Sequence, residues 1–493
     1  MSEQFRIRLE KLEKIKALGV NPYPTTFDKT ATLREITERY QDQSEQKLES
    51  APEVSVAGRL MAIRRMGKSA FAHLFDGDSR LQIYIRKGTV EDPGLEVFKL
   101  CDIGDIIGVK GQVFKTRTGE LSILVRRLTF LSKSYHPLPE KWHGLQDKEL
   151  RFRQRYLDLI MNQQSRDILK KRSEIVQAIR MFFYQRHYQE VETPMMQPIP
   201  GGASARPFKT HHNALDIDLY LRVAPELYLK RLLVGGMEKI FEINRNFRNE
   251  GISLMHNPEF TMIEFYELYR DFHYYMDLTE ELIATLNRQF LSDDRIEFKE
   301  QRIRLTPPFK KIKYLQAILD HSSIEPEELQ DETRLTAYLK KQFPDLDLPP
   351  THGKMLEFLF DQYVEAQLIE PTFVTHYPTL ISPLTKQSPV NPRETERFEL
   401  YIAGMELANG FSELNDPLEQ KIRFDNQLKD RDKGDEEAQH MDLDFLRALE
   451  HGMPPAAGEG IGIDRLIMLY TGAESIKEVI PFPLLKPKSS NEI

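Results

Sequence analysis

Residues 239–269, KIFEINRNFRNEGISLMHNPEFTMIEFYELY, alternate with period two on both sides of a short loop, and few folds accommodate that pattern. On a strand through 240–250, Phe241, Ile243 and Phe247 take one face, and Glu242, Asn244, Asn246, Arg248 and Glu250 take the other. After the loop, the even positions His256, Phe260, Glu264 and Tyr266 again share a side. Two adjacent antiparallel strands would thus bury one apolar face. The opposite face would present an arginine, a histidine, three carboxylates and two aromatics from a rigid support. Mixed charge with aromatics on a sheet suits the floor of a ligand site, because a merely solvated face would carry Lys, Thr and Glu without aromatic rings.

The rest of the chain supplies a core for that sheet. With 493 residues, 40% hydrophobic and 29% charged, it is long enough for two or more globular domains. Residues 166–187 read as an amphipathic helix with Ile168, Ile175, Ile179, Phe182 and Phe183 on one stripe. It is followed by YQEVETPMM, where Pro194 is expected to end a strand, and by IPGGASARPF, whose Gly201-Gly202 lets the backbone approach a ligand. Residues 268–375 look mostly helical, an insertion before the chain returns to strands. Cys101, the single cysteine, excludes an internal disulfide and a cysteine zinc site and is expected to be a small core residue. No apolar run has the length of a signal peptide or a membrane span, so a cytoplasmic protein without a membrane partner is expected.

Charge is unevenly distributed. Residues 54–134 hold 14 Lys and Arg against 8 Asp and Glu, a net of +6, which leaves −14 elsewhere in a chain of net charge −8. A basic module joined to an acidic body suggests a polyanion for the first part and cationic ligands or metal ions for the second. The basic module reads as five short strands separated by DGDS, EDPG and TRTG, the size of an OB-fold barrel. In AFAHLF, residues 70–75, the small Ala70 and Ala72 and Leu74 would face inward. Phe71 and His73 would then stand outward near Arg64, Lys68 and Arg80, as stacking on unpaired bases requires; a ring covered by a neighbouring domain gives the same pattern.

Two glycine signals mislead. AIRRMGKS, 62–69, ends like a phosphate-binding loop, but an alternating strand follows it instead of the helix that such a loop must open. Gly458, Gly460 and Gly462 in AAGEGIGIDR resemble a dinucleotide fingerprint only weakly, because no βαβ unit follows. In RFELYIAGMELANGFSELND, 397–416, Glu399 and Glu406 flank an Ala403-Gly404 turn, and Asn409, Phe411 and Glu413 share a strand face.

Taken together, FRNEGISLMHNPEFT, EVETPMM and the terminal GIGIDR resemble the three signature motifs of class II aminoacyl-tRNA synthetases. With PGGASARPF, APELYLKR, FEINRNFRNEG and NGFSELND, the chain resembles the bacterial-type lysyl-tRNA synthetases nearly throughout, to about Pro483. The resemblance implies an α+β multidomain protein. A helical extension at 1–53 precedes an OB-fold anticodon-binding domain at 54–134 and a linker at 135–165. An antiparallel-sheet catalytic domain flanked by helices follows at 166–493, with a helical insertion about 268–375. It also implies a homodimer through the motif-1 helix and strand region, with tRNA(Lys), L-lysine, ATP and Mg²⁺ as partners.

By the same resemblance, Arg248 holds the α-phosphate and carboxylate, and His256 and Arg465 meet the terminal phosphates. Phe260 lies under adenine, Glu250 meets the adenine amino group, and Asn257 joins the ATP set. Glu399 and Glu406 ligate Mg²⁺, a hard ion suited to oxygen. Glu226 with the Gly202 backbone receives the α-ammonium of lysine. Glu413 and Tyr266 hold the ε-ammonium, with Glu264, Asn409 and Phe411 completing the pocket. Arg64, Phe71, Gln82 and Glu120 are implied at the anticodon. An aspartate-specific relative would need a cation where Glu413 stands, and Glu413 with the acidic pocket disfavours an aspartyl- or asparaginyl-tRNA synthetase. A non-catalytic nucleic-acid-binding paralogue would not need the whole ATP set. Three departures touch local geometry: His187 where relatives carry glycine, Met255 before the histidine, and Glu459 where an apolar residue is usual.

Overall fold

The computed structural model describes residues 2–139, 145 and 147–487, in two compact units divided between Gln163 and Gln164. In the first unit, helix α1 (Glu3–Ala17) precedes five strands, β1 (Val54–Met66), β2 (Ser69–Phe75), β3 (Arg80–Arg86), β4 (Ile106–Lys115) and β5 (Leu121–Ser132). They close into a barrel in the order β1-β2-β3-β5-β4, all pairs antiparallel except β3 with β5. Ala70, Ala72 and Leu74 pack inside with Val56, Leu60, Ile83 and Ile123, so strand parity turns Phe71 and His73 outward. Gly67 turns β1 into β2 at φ 55°, and AIRRMGKS is therefore a hairpin. A helix, Gly94–Leu100, lies between β3 and β4 where the sequence pattern showed only a turn. Cys101 is buried, its thiol against the Val97 carbonyl.

In the expected linker, Lys148–Arg153 and Arg155–Met161 are short helices; residues 140–144 and 146 of that segment lie outside the described residues. No helix among the described residues is long and apolar enough to cross a membrane.

The second unit is built on eight strands. They are β6 (Gln189–Glu190), β7 (Lys239–Phe247), β8 (Glu259–Leu268), β9 (Lys310–Lys313), β10 (Thr372–Thr375), β11 (Arg397–Ile402), β12 (Met405–Ser412) and β13 (Ala456–Gly462). Their spatial order is β9-β10-β11-β12-β13-β8-β7-β6. Glu242 pairs with Glu264, Asn246 with Phe260 and Ile240 with Tyr266, so the even residues of both strands share one face. The odd face carries the core. Helix α2 (Gln163–Gln185) buries Ile168, Ile175, Ile179, Phe182 and Phe183, and Phe183 stacks on Phe241 and packs against Phe265.

Residues 268–375 depart from a purely helical insertion. Helix α4 (Phe272–Phe290), which follows helix α3 (Glu226–Val234) in the chain, lies under the sheet with Tyr275 stacked on Phe265, and β9 and β10 are sheet strands. Only the helices between 314 and 363 build a separate core, around Tyr314, Leu335, Leu359 and Phe360. The strand before Pro194 is just the two residues of β6, shorter than the sequence implied. Beyond α2, His187 sits at φ 64°, and Tyr188 N–H donates to the Phe183 carbonyl. This is the left-handed helix end that usually takes glycine, so the departure at His187 sits at a strained residue.

Glu459 points into this core. It is 2% exposed, and both its oxygens lie 2.6–2.7 Å from Thr279 Oγ1, which also lies 2.8 Å from the Tyr275 carbonyl. One hydroxyl proton cannot serve a carbonyl and a carboxylate at once, so the Glu459 carboxyl supplies the other. Burial pushes its pKa well above the ordinary range, the Thr279 hydrogen bond opposing. A folded pKa above the unfolded one gives stability that is full below pH ~4.5 and falls as pH rises toward the folded value. Glu459→Gln should therefore raise the thermal midpoint at pH 8 by about 2–6 °C, a gain that fades toward pH 5. Melts of both proteins across that range check it, and a pH-independent difference would contradict it.

Candidate active site

The even face of β7 and β8 floors a cleft of about 380 Å³ lined by residues of the second unit, from Gly202 to Ile476. Its walls are the Gly201–Ser204 turn, the loop after β7, β11, β12 and the glycine-rich β13, which runs into helix α5 (Ile463–Thr471). The β13 glycines have a packing reason. A Cβ on Gly458 would lie 2.2 Å from the Tyr266 ring, and one on Gly460 would lie 2.6 Å from Met262.

One end of the cleft is cationic. Strand β7 stops at Phe247, so Arg248 and Glu250 project from the loop rather than the strand, and His256 lies on that loop too. The Arg248 guanidinium carbon lies 5.1 Å from the centre of the Phe260 ring, and Arg248 Nε is buried without a partner. Arg465, in the first turn of α5, donates from Nη2 to His256 Nε2 at 3.1 Å and from Nη1 to the Glu406 carbonyl at 2.5 Å. Guanidinium only donates, so Nε2 accepts and Nδ1 carries the proton, directed to Ser253 Oγ at 3.0 Å. Burial, Arg465 and Arg248 hold the His256 pKa below its usual value, and the imidazole is neutral. Asp464 anchors this corner, accepting from Thr261 N–H at 2.7 Å and from Arg172 of α2 at 2.5 Å. Asn257 donates to the Glu259 carbonyl, its Oδ1 buried and unpaired.

Carboxylates line the side wall. Glu399 accepts from Arg397 at 2.6 Å on Oε1, and from Tyr377 and Tyr401 at 2.7 and 2.6 Å on Oε2. Glu406 faces Arg465 Nη1 at 3.5 Å; desolvation and the charge of Glu399 raise its pKa. Behind them, burial and neighbouring acids push Asp361 up to about 6 and Glu365 up to about 7. Among the described residues no group of three or more His, Cys, Asp or Glu is arranged to hold a metal by itself.

The far end is acidic. Glu226, in the first turn of α3, and Glu264 and Tyr266, on β8, line the cleft with Asn409 and Phe411 of β12. Gly202, at φ 91°, sits so close that a Cβ would lie 2.9 Å from the Glu226 side chain; its N–H donates to Gln439 at 3.0 Å, which leaves its carbonyl to accept. Burial, then the charges of Glu226 and Glu242, raise the Glu264 pKa well above its usual value. Glu242 of the polar face is neutralised by Arg222 at 2.7 Å and belongs to the scaffold. Glu413 does not line the open cleft. It lies behind Gly458, whose Cβ would sit 2.5 Å from Glu413 Oε1. Its other oxygen is 2.5 Å from Lys230 Nζ. Sequence reasoning missed Lys230, although its spacing of four from Glu226 on a helix was the available signal.

On the barrel, Arg64 pairs with Phe71 across β1 and β2, and Phe71 with Tyr84 of β3, the two rings stacked at 4.6 Å. His73 meets Glu120 at 3.3 Å. Gln82 is 8% exposed and accepts from Ser122 at 3.0 Å.

A family model described as tRNA synthetases class II (D, K and N) matches residues 147–486, and one described as an OB-fold nucleic acid binding domain matches 54–131. The chain is 51% identical over 490 residues to a lysine–tRNA ligase of Pelotomaculum thermopropionicum, covering 99% of this chain and 96% of that one. It is 51% identical over 488 residues to the enzyme so named in Moorella thermoacetica, covering 98% and 97%. Against that of Bacillus subtilis it is 48% identical over 489 residues, covering 99% and 98%.

Proposed function

This chain belongs to the lysine–tRNA ligases of the class II aminoacyl-tRNA synthetases, and from that premise we propose how its own residues activate lysine and pass it to tRNA. The reaction joins L-lysine and ATP as lysyl-adenylate with release of pyrophosphate, and then transfers the lysyl group to the 3′ end of tRNA(Lys) with release of AMP. The observation that carries the reading is the polarity of one cleft, with Arg248 and Arg465 at one end and Glu226, Glu264 and Glu413 at or just behind the other. A substrate with two ammonium groups and a carboxylate to be activated beside phosphates fits only in that sense.

In this reading the lysine carboxylate attacks the α-phosphate beside Arg248, whose unpaired Nε gives a donor where charge develops in the transition state. Phe260 carries the adenine, Glu250 meets its amino group, and Asn257 completes the ATP set. Arg465, held by the Glu406 carbonyl and the neutral His256, meets the terminal phosphates. Glu399 and Glu406 would hold Mg²⁺. Three of about four acceptor sites on Glu399 are already taken, and the raised pKa values of Glu406, Asp361 and Glu365 mark a wall short of cations. A divalent ion held there by Glu399 and Glu406 would supply the positive charge that this wall lacks to the departing pyrophosphate. Glu226 and the Gly202 carbonyl receive the α-ammonium, and Glu413 Oε1 with Tyr266 the ε-ammonium.

The protein acts in the cytoplasm as a homodimer through the 163–197 region, a reading supported by exposed Met181, Tyr184, Met195 and Met196. On the barrel, Arg64, Phe71, Gln82 and Glu120 read the anticodon. Phe71→Ala should weaken tRNA charging by about 5- to 150-fold, the range of one stacked base. Lysine-dependent pyrophosphate exchange without tRNA should be unchanged. A parallel fall in both would make Phe71 a structural residue. The assay of the whole reading is charging of tRNA with labelled lysine, ATP and Mg²⁺; charge retained on tRNA with lysine alone among amino acids is expected, and no charging would refute it.

A further inference from the structure

Lys230 is a fully buried ammonium on the inner side of α3. Its Nζ lies 2.6 Å from Glu226 Oε1 and 2.5 Å from Glu413 Oε2, and 5.3 Å from the Phe411 ring centre. Both carboxylates are those that the proposed function gives to the substrate, and this inference rests on that reading. We propose that Lys230 determines specificity as a positioning residue: by holding one oxygen of Glu226 and one of Glu413, it leaves the second oxygen of each to receive one ammonium of the substrate.

Three observations support this. Neither oxygen of Glu413 has a hydrogen-bond partner; Oε2 is held only by the ion pair with Lys230, and Oε1 abuts Gly458, which lines the cleft, so Oε1 is the acceptor nearest the space where an ε-ammonium would end. Charge also matches. Glu226, Glu264 and Glu413 exceed the one internal ammonium by two, the number of ammonium groups that lysine brings. A ligand with a single ammonium leaves a buried carboxylate uncompensated, which is costly. Finally, in the empty site all three acids hold protons more tightly than usual, Glu226 through burial with Lys230 opposing. Burial lifts Glu413 to about 8, with Lys230 opposing and Glu226 adding, and burial with the neighbouring carboxylates raises Glu264 well above its usual value. The groups facing Glu413 are Lys230 and Glu226 from α3 and Tyr266 from β8. Against burial, Glu226 and Glu413 hold the Lys230 pKa above its usual value, so Lys230 stays charged throughout.

The test is Lys230→Met, which keeps the length of the side chain and removes its charge. Pyrophosphate exchange at pH 7.5 should show KM for lysine raised at least ~30-fold, with KM for ATP within about twofold and kcat within about fivefold. The penalty should shrink toward pH 9.5, as the carboxyls that have lost their partner ionise. An unchanged KM for lysine in a folded variant would overturn the proposal. So would an equal loss in kcat and both KM values, the sign of a structural role. If the variant does not fold, a crystal structure of the unaltered protein with L-lysine decides. Nζ should still bridge both carboxylates with the ligand's ε-ammonium on Glu413 Oε1; a Lys230 swung off either carboxylate, or a ligand ammonium placed elsewhere, would overturn it. Absence of lysine-dependent exchange in the unaltered protein would instead fell the functional reading itself.

Discussion

Glu413→Gln lowers kcat/KM for lysine by on the order of 10²–10⁴ while leaving ATP binding nearly intact. The amide keeps the shape of the side chain, but it cannot offset the desolvation of an ε-ammonium or hold the ion pair with Lys230. The variant also removes a titration. In the unaltered protein burial lifts Glu413 to about 8 against the opposing charge of Lys230, so the fraction protonated below that pH must ionise before it can pair with the ligand. Affinity for lysine should therefore rise by up to about tenfold per unit as pH approaches 8 and then level off, because the ionised form alone binds the ammonium. Glu413→Gln should lose the share of that slope that Glu413 contributes. Exchange kinetics at several lysine concentrations between pH 6.5 and 9 measure both effects, and near-parental activity would remove Glu413 from the amino-acid pocket.

Glu406→Ala should abolish adenylate formation, a loss of at least ~10³-fold, because the leaving pyrophosphate loses its counter-ion. Transfer from preformed lysyl-adenylate to tRNA should survive far better, since the leaving group of that step is AMP and no pyrophosphate departs. The two half-reactions are measured separately, exchange for the first and single-turnover transfer for the second. Equal losses would mean that Glu406 works through its contact with Arg465 and through the β11–β12 turn, not through a metal.

The floor of the site was legible in the sequence because strand parity is a strict code. Once Phe241 and Phe265 go to the core, Glu242, Glu264 and Tyr266 must share the other face, and the register places them so. The helical stripe of α2 was legible for the same reason, since five large apolar side chains at helical spacing have one way to be buried. Parity fails where the strand ends. Arg248 and His256 belong to a loop whose shape is set by Ser253, Arg465 and Pro258, which no period in the sequence encodes. The same limit hid the strands β9 and β10 within an apparent helical insertion, because short strands next to long helices carry too few residues to show alternation. Lys230 was hidden for a different reason. Four residues after a glutamate on a helix, it looks like a solvated surface pair, and only the tertiary approach of Glu413 reveals a buried bridge.

The central claim is that one sheet face holds a phosphate end and a diammonium end in register, and amino-acid-dependent pyrophosphate exchange tests it most directly. Each of the twenty amino acids is offered with ATP and Mg²⁺ in the absence of tRNA. Exchange with lysine, and at least ~10²-fold less with every other amino acid, is the expected result. Equal or greater exchange with aspartate, asparagine or a neutral amino acid, or none with any of the twenty, would contradict the account.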